Sequence, residues 1–327
     1  MNIQATDVRK TYGDVIALDE LSLSIPDGST FGVLGTNGAG KSTLFKLLIG
    51  HDRPDAGTLT VGGMDVVDAG RRIREHVGYL PEHVGFPAAL TGREVLAVHA
   101  TARGLSNDGR IERAIDRVGL SQADADRRVS GYSNGMQRRL GLATVLLPEP
   151  SVLVLDEPTA GLDPRGVDGF HRIVERITAE TDATVVFCSH VLPEIERLCD
   201  RAAVLHEGRV QAAGPVEELA AGTARVVFDG VAAVDELLGS VEEAGDLDGI
   251  TVGGTADVGP TVTVACGPDA IPQLLTTADD AWFADVRVER PGLRGAFRDA
   301  VESADAGSAA GSPAPADSTV DAAGGAS

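Results

Sequence analysis

Two unbroken apolar runs of strand length, Val152-Leu153-Val154-Leu155 and Thr184-Val185-Val186-Phe187, mark the middle of the chain. A run without polar alternation fits a strand covered on both faces. Shorter β-rich segments precede them at 3–8, 17–25, 30–34, 58–61 and 77–80. A helical, arginine-bearing stretch extends from about 91 to 147, and further helices are expected over about 165–179 and after position 190. Strands that alternate with helices predict a parallel sheet core, and so an α/β domain over residues 1–220. From 224 to 302 the texture changes. Residues 225–228, 261–265 and 284–288 alternate like strands, while 234–243 and 270–277 read as helices. This predicts a small C-terminal α+β domain. The last stretch, 304–327, is Ala, Gly, Ser, Pro and Asp with almost nothing to bury, which predicts a disordered acidic tail.

Between an expected strand at 30–34 and a helical run at 43–49 lies Gly35-Thr36-Asn37-Gly38-Ala39-Gly40-Lys41-Ser42-Thr43. Glycine, four residues, then Gly-Lys-Ser is the phosphate-loop pattern, and strand–turn–helix is the context that it requires. The glycines let backbone N–H groups converge on β- and γ-phosphates, and the helix N-terminus adds a favourable dipole. Lys41 would reach the β/γ oxygens, and Ser42 would hold Mg²⁺. Only Lys10, Lys41 and Lys46 are lysine among 28 basic residues, so the motif keeps an ammonium that the rest of the chain has nearly abandoned.

The net charge of −21 argues against a broad nucleic-acid face, because phosphate backbones need clustered positive charge. No apolar run reaches the roughly 18 residues of a membrane span, and no signal sequence opens the chain. Cytoplasmic folding is expected, with membrane contact through a partner. Three cysteines make no disulfide framework, which fits a reducing compartment. The acidic excess with scarce lysine fits a salty cytoplasm, where a Debye length of about 3 Å near 1 M salt screens self-repulsion. An ordinary acidic protein from a GC-rich genome is the alternative.

Further motifs narrow the chemistry. The apolar strand 152–155 ends in Asp156-Glu157. Asp156 can hold Mg²⁺ through water, and Glu157 can orient or deprotonate a water attacking the γ-phosphate. Tyr132-Ser133-Asn134-Gly135-Met136-Gln137 opens a helix. Here the sequence resembles the ATP-binding-cassette (ABC) ATPases, whose signature reads Leu-Ser-Gly-Gly-Gln. Ser133 and Gly135 match it; Tyr132, Asn134 and Met136 depart from it. Asn134 is a residue type that tolerates a left-handed backbone. Ala160-Gly161-Leu162-Asp163 resembles the family's dimer-contact loop, His190 its switch histidine, and Tyr12 the aromatic that stacks on adenine.

The resemblance covers about residues 1–220. It implies a phosphate-loop NTPase fold with a parallel sheet core, an antiparallel β subdomain and a helical subdomain. It also implies a homodimer, with each ATP held between one chain's phosphate loop and the other's signature. Closure on ATP would drive a separate polytopic permease. The family's usual glutamine is replaced in Gly78-Tyr79-Leu80-Pro81-Glu82 by Glu82, which can still ligate Mg²⁺ or a bridging water.

Glutamate at this position also resembles the ATPases that serve ABC-2 permeases. The stretch 78–104, Asp126-Arg127-Arg128-Val129 and Cys188-Ser189-His190-Val191-Leu192-Pro193 look closest to the NosF-type ATPase of copper-enzyme maturation. A general ABC-2 exporter is the runner-up, and a soluble ABC protein acting on ribosomes or DNA the more distant rival. Cys188, His190 and Cys199 do not make a preferred copper site, because buried thiols are usually packing.

Overall fold

The two apolar runs become adjacent interior strands of a six-stranded sheet. In the computed structural model the described residues are 1–301, without 107, 222–223, 244–246, 256–258, 279–281, 290–291 and 299. The expected tail at 304–327 lies outside them. The central sheet runs in the order Arg209–Pro215, Arg201–His206, Thr30–Gly35, Thr184–Cys188, Val152–Asp156, Val77–Leu80. The last five of these are mutually parallel. Only Arg209–Pro215 is antiparallel, closing a hairpin with Arg201–His206. Residues 152–156 and 184–188 are buried at every position, which is why their sequence shows no alternation.

A parallel sheet gathers the ends of its strands on one edge. Gly35, Leu80, Asp156 and Cys188 are the last residues of four neighbouring strands, so the loops that follow them open on the same side. This is where α/β sheets place ligands. Four antiparallel strands, in the order Val15–Ile25, Ile3–Tyr12, Ala56–Val61, Met64–Asp65, form a second sheet. Its inner residues Ile3, Leu21, Leu23 and Leu59 share a core with Val33 and Val154 of the first and with Phe45 of helix Lys41–Leu48.

Helices Gly92–Ala102, Arg110–Arg117 and Asn134–Leu146 make the helical part. Gly92–Ala102 starts in a capping box, Thr91 with Glu94. Asn134–Leu146 packs Leu140, Leu142 and Leu146 into the same cluster as Leu153, Leu155, Val185 and Phe187. Helix Pro164–Glu180 follows the strand at 152–156 and is capped by Asp163.

From Ala224 a third sheet forms, Leu247–Thr255, Gly259–Cys266, Ala224–Asp229, Asp285–Glu289, wholly antiparallel. Helices Val234–Glu243 and Ile271–Thr277 contribute Leu237, Val241 and Leu274 to its own apolar cluster with Phe228 and Val264. A helical segment at 293–298 returns to the cluster that Leu153 and Phe187 share with helix Asn134–Leu146, where Leu293 is fully buried and Phe297 packs at the margin. Among the described residues no helix is long and apolar enough to cross a membrane.

Candidate functional site

The turn after Thr30–Gly35 is built by three glycines. Gly35 lies so close to Leu205 that a Cβ would sit 2.7 Å from its carbonyl oxygen. Gly38 and Gly40 have φ of 86° and 100°, a region that side chains avoid. A Cβ on Gly40 would also meet the Ala17 carbonyl at 2.5 Å. The loop thereby turns tightly into helix Lys41–Leu48, whose first N–H groups have no side-chain cap. Lys41 Nζ folds back over this turn, donating to the carbonyls of Gly35 at 2.6 Å and Thr36 at 3.0 Å.

An open cleft lies beside the loop. Asn37, Gly38, Ala39, Gly40, Lys41, Ser42 and Thr43 line one side, and Glu82, Asp156 and Glu157 the other. Val15, Ile16 and Ala17 complete the rim. The backbone N–H groups and Lys41 suit a polyphosphate, and the carboxylates opposite suit a divalent cation.

Asp156 is buried and receives the Tyr79 hydroxyl at 3.0 Å. Burial pushes its carboxyl above the usual range, and it pushes the Tyr79 hydroxyl up as well, so that Tyr79 stays a donor. A cation beside Asp156 would offset that burial, so the residue fits Mg²⁺ together with the Ser42 hydroxyl.

Glu157 has φ of 43°, the left-handed region, unusual for a residue with a side chain. Its N–H donates to the Cys188 carbonyl at 3.1 Å. The carboxylate meets His190 Nδ1 at 2.8 Å through Oε2, and Cys188 Sγ at 4.0 Å through Oε1. Cys188 is buried and its thiol is pushed up by desolvation, so it is a packing group. Cys199 is likewise buried, 3.3 Å from where a Cβ on Gly32 would lie.

Ser133, Asn134, Gly135 and Met136 line a different cleft, with Gly161, Leu162, Asp163 and Arg165. The phosphate-loop residues with Glu82, Asp156 and Glu157, and the residues around Ser133 with Asp163, therefore line two different clefts of one chain. Ser133 is the N-cap of its helix, accepting from the Met136 N–H at 3.3 Å, and Asp163 accepts from the Gly166 N–H at 2.7 Å. The left-handed backbone expected to suit Asn134 is not used. Asn134 is the first helical residue, because the Ser133 cap already starts the helix there. Gly135 and Gly161 have open space where a Cβ would be. Tyr12 ends its strand at 43% exposure, its hydroxyl donating to Asp52 at 2.7 Å. Lys10 Nζ lies 5.3 Å above its ring centroid. The Tyr12 bond and Lys10 hold the Asp52 carboxyl down at about 2.

Two groups escape a reading of the sequence. Glu194 is buried, its Oε2 accepting from Thr159 Oγ1 at 2.9 Å and Ser189 Oγ at 2.8 Å. His171 Nε2 lies 3.3 Å from its Oε1. This knot joins the segment after Glu157 to the residue before His190. Arg138, 3% exposed, is the other. For Arg138 a signal existed. It occupies an apolar position of its helix, four and seven residues before the buried Leu142 and Val145.

A family profile described as ABC transporter matches residues 18–160. The chain is 36% identical over 217 residues to the bacitracin transport ATP-binding protein BcrA of Bacillus licheniformis, covering 66% of this chain and 71% of that one. It is 41% identical over 217 residues to the Nod factor export ATP-binding protein I of Mesorhizobium japonicum, covering 65% and 63%. A solved structure of cbiO1 from Clostridium perfringens, part of the ABC transporter complex cbiONQ, superposes with a TM-score of 0.61 at 30% identity. That match covers 66% of this chain and 89% of the other.

Proposed function

This chain belongs to the ABC transporter family as an ATP-binding, ATP-hydrolysing subunit, and from that premise we propose that it powers a separate exporter permease as a homodimer. The observation that carries the dimer is the division of the site. Lys41, Asp156 and Glu157 share one cleft, and Ser133, Gly135 and Asp163 another. Two copies set head to tail bring each kind of cleft against the other, and both nucleotides are then enclosed.

In this reading the loop amides of 37–41 and Lys41 bind the β- and γ-phosphates of ATP, and Tyr12 offers its ring to adenine. Ser42 and Asp156, with Glu82 directly or through water, hold Mg²⁺, which supplies charge neutralisation at the phosphates. Glu157 orients the attacking water and accepts its proton, and His190 fixes the Glu157 carboxylate. Ser133 and Gly135 close on the γ-phosphate from the opposite copy. Closure before cleavage and reopening afterwards is the stroke passed to the permease.

Residues 1–220 form the motor in this assignment, and 224–302 an accessory domain whose helical segment at 293–298 packs against the motor's core. The chain works at the inner face of the membrane, held there by its permease. An exporter of the general ABC-2 kind is the cargo class we favour, because proteins named for bacitracin transport and Nod factor export align over the motor. The narrower NosF-type reading rests on 78–104, 126–129 and 188–193 and ranks behind it. A salty cytoplasm is the proposed setting for the −21 charge.

Co-expression with candidate permeases tests the assignment. Capture of a polytopic membrane protein, with ATP turnover stimulated in the complex, is the expected result. A chain that stays monomeric with MgATP when hydrolysis is blocked, and that binds ribosomes or DNA instead, would refute it.

A further inference from the structure

Arg138 is a buried cation whose hydrogen bonds all go to main-chain carbonyls among the described residues. Nε donates to Pro158 at 2.6 Å. Nη1 donates to Pro81 at 2.6 Å and Glu82 at 2.7 Å. Nη2 donates to Glu157 at 2.5 Å and Asp156 at 3.4 Å. Burying a guanidinium is costly unless its donors are met, and here the rigid fork is met on every nitrogen. The carboxylates of Glu82, Asp156 and Glu157 add attraction from nearby.

The partners fall in two segments. One is the turn after Val77–Leu80, which carries Glu82 into the phosphate cleft. The other is the exit of Val152–Asp156, which carries Glu157. Glu157 holds a left-handed backbone, which is strained for a residue with a side chain and persists only where its surroundings fix it. Its carbonyl is fixed by Arg138 and its N–H by the Cys188 carbonyl. The direction in which its carboxylate leaves the backbone depends on both.

Arg138 itself belongs to the helix that starts at Ser133, four positions beyond Asn134. At 1.5 Å of rise per residue that is roughly 6 Å, one stiff turn. A shift of the helix start therefore reaches the Glu82 turn and the Glu157 peptide together.

We propose that Arg138 is the positioning residue that ties the Ser133 helix to Glu157 of the same chain, so that one nucleotide site of the dimer senses the other. The signature end faces the partner's ATP, while Glu157 serves the chain's own. This coupling rests on the dimer reading given above. Arg138 touches no substrate and acts only through the peptides that it clasps.

The test uses full-length chain with Arg138→Lys, which keeps the buried charge but offers three donors to five carbonyls, and Arg138→Gln as the deeper cut. Affinity for a fluorescent ATP analogue, kcat, KM, the Hill coefficient for ATP and the melting temperature are measured on each. For Arg138→Lys the expected result is affinity within about twofold of wild type, kcat lower by about tenfold or more, and a Hill coefficient falling toward one. Wild-type kcat and cooperativity in a folded Arg138→Lys would overturn the proposal. So would affinity and kcat falling in parallel, since that marks general damage. A wild-type chain that itself shows no cooperativity and no ATP-dependent dimer would instead overturn the dimer reading beneath it.

Discussion

His190 Nδ1 lies 2.8 Å from Oε2 of Glu157, joining the ends of two neighbouring strands across the mouth of the phosphate cleft. Glu157 is the more enclosed partner, 15% exposed at its side chain against 67% for His190. The carboxylate is thus aimed by a ring that solvent can reach. Glu157→Gln keeps the shape and removes the base. ATP binding should persist while turnover falls by about 10² to 10⁴, the span of a lost general base. An ATP-stabilised dimer should accumulate, visible by size-exclusion chromatography. His190→Ala should lower kcat by about tenfold or more with binding unchanged. Wild-type turnover in either variant would remove the role given to that residue.

The phosphate loop offers a separate check that needs no partner. Gly40→Ala forces a Cβ to within 2.5 Å of the Ala17 carbonyl at φ of 100°. That strain should cost about 2–4 kcal/mol in denaturant unfolding, because neither the backbone nor the neighbour can move cheaply. Lys41→Ala adds no strain and removes the bonds to the Gly35 and Thr36 carbonyls. It should cost only about 1 kcal/mol of stability but weaken ATP binding by about tenfold or more, as loss of a charge-assisted phosphate contact predicts. Calorimetry and equilibrium unfolding separate the two outcomes.

Glu194 predicts a pH signature. Burial alone would raise its carboxyl, but nearby His171 and the hydroxyls of Ser189 and Thr159 outweigh burial and hold it below its ordinary 4.5. A carboxyl depressed in the folded state contributes stability above its unfolded value and loses it as pH falls through the folded one. Glu194→Gln should therefore be less stable than wild type near neutral pH, by about 1–3 kcal/mol. The gap should close as pH drops below 4.5. Thermal melts from neutral to acid pH measure it, and a constant gap would show that charge at Glu194 does not matter.

Net charge gives the last expectation. With 49 acidic residues against 28 basic ones, self-repulsion is large in dilute buffer. The melting temperature should climb steadily with KCl toward molar concentration, where the Debye length shrinks to about 3 Å. A flat or falling curve would remove the high-salt setting and leave an ordinary acidic protein.

The sheet core was legible because its central strands are covered on both faces, so burial writes itself as continuous Val, Leu and Phe. The phosphate loop was legible because glycine is needed where φ is positive. Other parts left weaker traces. Strand Leu247–Thr255 carries Gly249, Gly253 and Gly254, which break the alternation that marks a strand. The hairpin Arg201–Pro215 turns through Glu207 and Gly208, both at positive φ, and glutamate is not the residue expected there. Helix Val66–His76 buries only Val66 and Ile73, too few for a periodic stripe. Glu194 is invisible in sequence, since its three neighbours come from 159, 171 and 189 and meet only in the fold.

The scarcity of lysine at the cleft makes the molecule its own reporter. Lys10 is enclosed by Asp52 at 3.0 Å and Asp55 at 3.3 Å, and the α-amino group is paired with Asp27. Lys46 is exposed, and Lys41 sits within the loop. An amine-selective acylating reagent therefore meets few competing targets, and Lys46 supplies an internal standard on the same peptide. Protection of Lys41 relative to Lys46, read by mass spectrometry, would footprint nucleotide occupancy without a label on the ligand or an engineered probe on the protein.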